Sequence, residues 1–221
     1  MNDRVIALIP AFNETARIRE VVRKTVPHVG RVVVIDDGSQ DDTAAIARAA
    51  GATVLRHAQN RGKGAAIQTA FDFFQQSGAE FAILLDADGQ HDPDEIPAFL
   101  RAVEQTGADI VVGTRMGQTR DMPWLRRAVN RFTSWVTGRL ARQRIPDSQC
   151  GYRLLRRSVL PVLKLSTTNY ETETEMLVQA GRVGRKICSV PIRTIYDGQP
   201  SRIRPYQDGM RFVRLVVKYL R

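Results

Sequence analysis

Three side chains at one strand end set the chemistry this chain can do. The apolar run FAILL ends in Asp86-Ala87-Asp88-Gly89-Gln90. Two aspartates two residues apart can face one cation if the chain turns after the strand. Hard divalent cations such as Mg2+ or Mn2+ take carboxylate oxygens, and Mg2+ is typically held by one or two carboxylates plus substrate phosphates. Asp88 is the first expected ligand, with Gln90 and Asp86 as further contacts. Arg115 follows the strand IVVGT and suits a phosphate, which a guanidinium grips bidentately; a salt bridge to a nearby acid explains it equally well. Lys63, at a helix N-terminus in Asn60-Arg61-Gly62-Lys63-Gly64, can meet a phosphate or a carboxylate. That loop lacks the spacing of a phosphate loop, and the first βα turn is PAFNE instead of a dinucleotide fingerprint.

The elements that must position these groups are legible as runs. Short strand patterns at 5–9, 31–35, 53–55, 80–85 and 109–112 alternate with helical patterns at 18–26, 39–50, 65–76 and 94–106. Asn13 or Thr15 is placed to cap the first helix, and Ser39 with Asp42 has the spacing of a capping box for the second. Alternation of this kind predicts an α/β fold with a mostly parallel sheet flanked by helices. Ligands of such sheets sit outside the carboxyl ends of the strands. The polar clusters PAFNE, DDGS and DADGQ therefore converge on one rim.

The chain has 221 residues and a net charge of +10, enough for one well-buried domain. Residues 1–110 carry a net −5 and residues 111–221 a net +15. The expected division of a single domain is an acidic half at 1–115 and a basic half at 116–221, two surfaces with different tasks. Residues 124–142 and 208–221 read as basic amphipathic helices. Their apolar stripes can pack on the sheet or lie on an anionic bilayer. The basic half lacks aromatic interleaving or a recognition motif, which argues against nucleic acid. The start, MNDRVIALIP, reads as a strand and not as a signal peptide. Two cysteines provide neither a disulfide framework nor a metal spacing, and a reducing compartment is the default. His91 reads as structural.

The order PAFNE, DDGS, RGKGAA, DADGQHDP, VGTR, DSQCGYR, from Val5 to about Arg204, resembles glycosyltransferase family 2, in its dolichyl-phosphate mannose synthase and polyprenyl-phosphate glycosyltransferase branch. The resemblance implies the GT-A fold and an inverting, metal-dependent transfer of a hexose from a UDP- or GDP-sugar to a polyprenyl phosphate. It implies that Pro10, Ala11, Glu14, Ile35 and Asp37 hold the base and ribose. Asp86 and Ala87 would touch the nucleoside, and Asp88 with Gln90 would hold Mg2+ or Mn2+ on the diphosphate. Arg115 would meet the diphosphate or the acceptor phosphate, and Ser201-Arg202 would close over the diphosphate. The mannose synthases usually have Tyr where Ala11 stands, so base and sugar are not read from this position. A lipid phosphate needs no strong base; a hydroxyl acceptor, the alternative, needs a carboxylate, for which Asp147 is the candidate. A peripheral cytoplasmic protein at the inner membrane face is expected. A homo-oligomer is compatible with the sequence.

Overall fold

A computed structural model describes residues 3–117, 124–193, 195 and 205–220. Ser201 and Arg202 lie outside them. Among the described residues, seven strands form one sheet in the order β3-β2-β1-β4-β6-β5-β7. The strands are β1 (Val5–Ala11), β2 (Arg31–Asp36), β3 (Thr53–Arg56), β4 (Phe81–Leu84), β5 (Ile110–Thr114), β6 (Arg153–Arg156) and β7 (Ile187–Pro191). The pairs β1/β2, β1/β4, β2/β3 and β5/β7 are parallel. β6 runs antiparallel to both neighbours, β4 and β5. The expected mostly parallel sheet is therefore present, with one inverted strand that the sequence reading did not find. The other strands point one way and deliver their carboxyl ends to one rim.

The central strand explains itself: all seven residues of VIALIPA are buried, as in a strand covered on both faces. Helices α1 (Ile18–Thr25), α2 (Thr43–Ala49), α3 (Lys63–Gln76) and α4 (Ile96–Thr106) supply the cover, and α3 lies on β1 and β2. Gly62 precedes α3 with φ 94°, and a Cβ there would stand 2.5 Å from the Thr168 carbonyl oxygen. Only glycine allows that turn and that approach.

The helices α5 (Trp124–Ala141), α6 (Glu171–Arg182) and α7 (Pro205–Leu220) pack on one another in the basic half. Leu140, Val178, Leu215 and Tyr219 form a small core between them. Beside it Glu175 of α6, fully buried, takes hydrogen bonds from the backbone and hydroxyls of Ser166 and Thr167. Lys218 Nζ of α7 lies 2.7 Å from the same carboxylate. Burial alone would raise the Glu175 pKa, but Lys218 and the Ser166 and Thr167 donors bring it down to about 2.

A depressed carboxylate stabilises the fold above its unfolded value and loses that stabilisation as pH falls through the folded one. From a usual 4.5 to about 2, the linked stability at neutral pH is roughly 3 kcal/mol as an upper bound. Glu175→Gln is therefore expected to lower stability by about 2–3 kcal/mol at pH 7. In urea titrations the gap to wild type should narrow steadily below pH 4.5. A gap constant with pH would mean that the charge is irrelevant.

Candidate active site

The rim collects the ends of β1, β2, β4 and β5, the first residue of α3 and the first turn of α6. Asp86 follows β4 and carries Lys63 Nζ 2.6 Å from its Oδ1. The same ammonium lies 2.9 Å from Glu173 Oε1 on α6. Burial alone would raise the Asp86 pKa; Lys63, with His91 and Arg115, instead brings it down to about 2. Burial would likewise depress Lys63, but Asp86 and Glu173 outweigh it and hold the ammonium charged. A Cβ on Gly151 would stand 2.8 Å from Asp86 Oδ2, so the glycine of CGY makes room for this carboxylate.

Asp88 has the opposite electrostatics. Burial and the charge of Asp86 raise its pKa, and the Gln90 N–H, which donates to Oδ1 at 3.0 Å, offsets them only in part. Among the described residues no cation pairs with it. A half-buried carboxylate beside a like charge gains when a cation arrives. Lys63 stands against Asp86 Oδ1, whereas Asp88 has no such partner among the described residues. Among the described residues no cluster of three or more His, Cys, Asp or Glu side chains could hold a metal alone. The donor set fits a cation whose shell is completed by phosphate oxygens.

His91 is buried, and its Nδ1 accepts the Asp86 N–H at 3.2 Å while the ring stacks on Tyr152 at 5.0 Å. Burial lowers its pKa against the pull of Asp86 and Asp88. It braces the loop as expected.

Other expected site residues have partners within the fold. Ile35 is fully buried in the core. The Asp37 carboxylate lies 2.6 Å from His57 Nδ1 and accepts the N–H groups of Arg61 and Gly62 at 2.9 and 2.8 Å. It therefore fixes the loop before Lys63. Asp147 is likewise engaged. It is fully buried and accepts from Arg115 N, Nε and Nη2 and from Asn130 Nδ2, all within 3.1 Å. Burial pushes its pKa up, but the Arg115 bonds and charge bring it below the usual value. A carboxylate so engaged is a poor proton acceptor.

The turn at 148–151 is braced by Arg153: Nη2 donates to the Ser148 carbonyl, Nε to that of Cys150 and Nη1 to that of Glu173. Neither capping expectation holds. Ser39 Oγ accepts the Asn13 N–H, Asn13 Oδ1 accepts the Gln40 N–H, and Asp41 accepts the Thr43 N–H. These side chains tie the first two rim loops together. Pro10 and Ala11 end β1 and Glu14 lies buried on that loop. Ala87 is buried between the two aspartates. After β7, the Ile195 N–H donates to the Gln90 carbonyl at 3.1 Å.

Sequence reading missed Asn130, His57 and Arg153. Asn130 had a signal: Asn130, Ser134 and Thr137 recur at helical spacing inside an arginine-rich helix.

With this geometry in hand, comparison with known proteins decides the family. The model of glycosyl transferase family 2 matches residues 6–163, well over half the chain. The chain belongs to glycosyltransferase family 2. It is thus a glycosyltransferase, as the ordered motifs implied. Among its relatives is the UDP-N-acetylglucosamine–dolichyl-phosphate N-acetylglucosaminyltransferase of Methanococcus voltae. It is 33% identical over 89% of this chain and 88% of that one. The polyprenol monophosphomannose synthase of Mycolicibacterium smegmatis is 31% identical over 86% of this chain and 76% of its own. In fold, the chain superposes on glucosyl-3-phosphoglycerate synthase of Mycobacterium tuberculosis with a TM-score of 0.71. That match has 23% identity and covers 98% of this chain and 78% of the other. The fold is GT-A-like. Another structure of that synthase holds Mn2+ and UDP with phosphoglyceric acid (TM-score 0.70).

Proposed function

We propose that this glycosyltransferase moves a hexose from a nucleoside-diphosphate sugar onto the phosphate of a membrane-bound polyprenyl lipid, inverting the anomeric carbon. The observation that carries the reading is the orientation of α5. Trp124, Phe132 and Trp135 are 75%, 61% and 59% exposed, while Asn130, Ser134 and Thr137 of the same helix are buried. An outward aromatic face interspersed with arginines suits the interface of an anionic bilayer. A hollow of about 980 Å³ flanks that helix, lined by Arg131, Arg139, Arg142 and Arg144 with Trp135. Among the described residues these four arginines have no carboxylate partner. Met116 and Pro146 also line the hollow, beside Arg115 and Asp147, so an anionic headgroup there lies next to the rim.

Both named relatives act, by name, on lipid phosphates of this class, which supports the same acceptor here. The chemistry is consistent. An acceptor phosphate oxygen forms a bond to C1 of the sugar as the C1–O bond to the diphosphate breaks, and the nucleoside diphosphate leaves. The attacking phosphate is already an anion, so no base is needed, in keeping with Asp147 being held by Arg115. That disfavours the hydroxyl-acceptor alternative.

Pro10, Ala11, Glu14, Asp86 and Ala87 would line the nucleoside side of the rim. Asp88 and Gln90 would hold Mg2+ or Mn2+, which when bound neutralises charge growing on the leaving diphosphate. Arg115, with its plane set by Asp147, would face the phosphates. Ser201 and Arg202 keep their proposed place over the diphosphate, and the division at residue 115 into donor and acceptor halves stands as part of this reading. No helix of the described residues is long and apolar enough to cross a membrane. The proposal is peripheral contact at the inner face.

Flotation with phosphatidylglycerol vesicles tests the surface. Replacing Trp124, Phe132 and Trp135 together by serine should cut the bound fraction at least about tenfold, because their transfer free energy is lost, with little change in melting temperature. Equal flotation of variant and wild type would refute the assignment.

A further inference from the structure

The inner face of α5 is joined to the rim by a short chain of buried hydrogen bonds. Asn130 Nδ2 donates to Asp147 Oδ1 at 2.9 Å. Arg115 Nη2 donates to that same oxygen at 2.9 Å, and Arg115 Nε donates to Oδ2 at 2.8 Å. On its other side, Asn130 Oδ1 accepts from Ser134 Oγ at 3.0 Å, and Ser134 Oγ accepts the Ser148 N–H at 2.8 Å. The Ser134 hydroxyl has its proton for Asn130 Oδ1 or for Ser148 Oγ, 3.3 Å away. The Asp147 carboxylate only accepts, so the amide presents its NH2 to it and its oxygen to Ser134. Asn130, Ser134 and Asp147 are all buried.

We propose that Asn130 is a positioning residue: through Asp147 it sets the plane of the Arg115 guanidinium, and so ties the placement of α5 to the reacting phosphates. The inference rests on the reading of Arg115 given above. A buried carboxylate that loses a donor either turns to find another or keeps an unfilled lone pair. The bidentate Arg115 fork follows any such turn. α5 also carries the outward aromatic face, so a shift of the helix reaches Arg115 through two hydrogen bonds.

The test compares Asn130→Ala and Asn130→Asp with wild type. Four quantities are read: UDP or GDP affinity by calorimetry, kcat and acceptor KM with polyprenyl phosphate in detergent micelles, and melting temperature. Nucleotide affinity should stay within about twofold, since Pro10, Ala11, Glu14 and Asp88 are untouched. Losing one hydrogen bond to a charged group should lower kcat about tenfold in Asn130→Ala. Asn130→Asp keeps the shape but sets a carboxylate against a carboxylate, and should be worse, about a hundredfold down. A merely space-filling role predicts the reverse order.

An Asp variant more active than the Ala variant, or two variants as active as wild type, would overturn the proposal. If neither variant folds, Ser134→Ala carries the test. Freeing the amide should lower kcat about threefold at unchanged nucleotide affinity, and an unchanged kcat overturns it. If wild type transfers sugar to some other acceptor and not to polyprenyl phosphate, the functional reading fails. The same comparison on that acceptor then still decides Asn130.

Discussion

Asp88→Ala is expected to abolish sugar transfer, by at least about a thousandfold, while leaving the melting temperature unchanged or slightly raised. The two effects have one cause. The Asp88 carboxylate is half-buried beside Asp86, which makes its charged form costly in the folded chain, and the bond it accepts from the Gln90 N–H offsets that only in part. Removing it relieves like-charge repulsion. The cost falls on function, because the carboxylate best placed to hold a cation on the diphosphate is gone. Thermal unfolding and transfer assays on one preparation check both halves. A destabilised variant would show that Asp88 braces the loop. A folded variant with near wild-type transfer would remove it from the machinery.

Lys63→Met is expected to do the opposite, costing the fold as well as the site. It leaves the carboxylates of Asp86 and Glu173 facing each other, both formerly satisfied by one ammonium. Breaking a buried pair from one side typically costs about 3–5 kcal/mol. The Asp86 side chain keeps 26% exposure, which lets water in and favours the lower end of that range. For a chain of this size the melting temperature should fall by roughly 6–15 °C. The double variant Lys63→Met, Glu173→Gln should recover part of the loss, since the two carboxylates no longer repel and Glu173 otherwise keeps only Arg153 Nη2 at 4.0 Å. Equal melting of single and double variants would show that Glu173 is not part of the couple.

Much of this was legible because it is local. The strands β1 to β5 are short runs, mostly apolar, closed by polar residues, and the parallel alternation sends those closures to one rim. The carboxylates of DADGQ were found by that rule alone. What escaped depends on distant partners. β6 is four residues long and opens with a fully buried arginine, Arg153, tolerable only because three carbonyls from Ser148, Cys150 and Glu173 receive its donors. No window of sequence displays that compensation.

The helix α5 makes a related point. Its stripe was readable from periodicity, but not which side faces the protein. The polar stripe turns inward because Asp147 and Ser148 need partners there. Asp37 and Asp147 look like ligand-binding acids in sequence. In the folded chain they hold the Lys63 loop and Arg115 instead, so their effect on the rim passes through another residue.

The central claim is the pairing of a nucleotide-sugar donor with a lipid phosphate, and one measurement meets it directly. Radiolabelled UDP-glucose, UDP-N-acetylglucosamine and GDP-mannose would each be incubated with the protein, Mg2+ or Mn2+, and a polyprenyl phosphate, beside a saccharide acceptor. The product would be extracted into organic solvent. The account predicts that at least one donor delivers label to the lipid, only when a divalent cation is present, with none on the saccharide. Label on the saccharide with none on the lipid, for every donor, would contradict it.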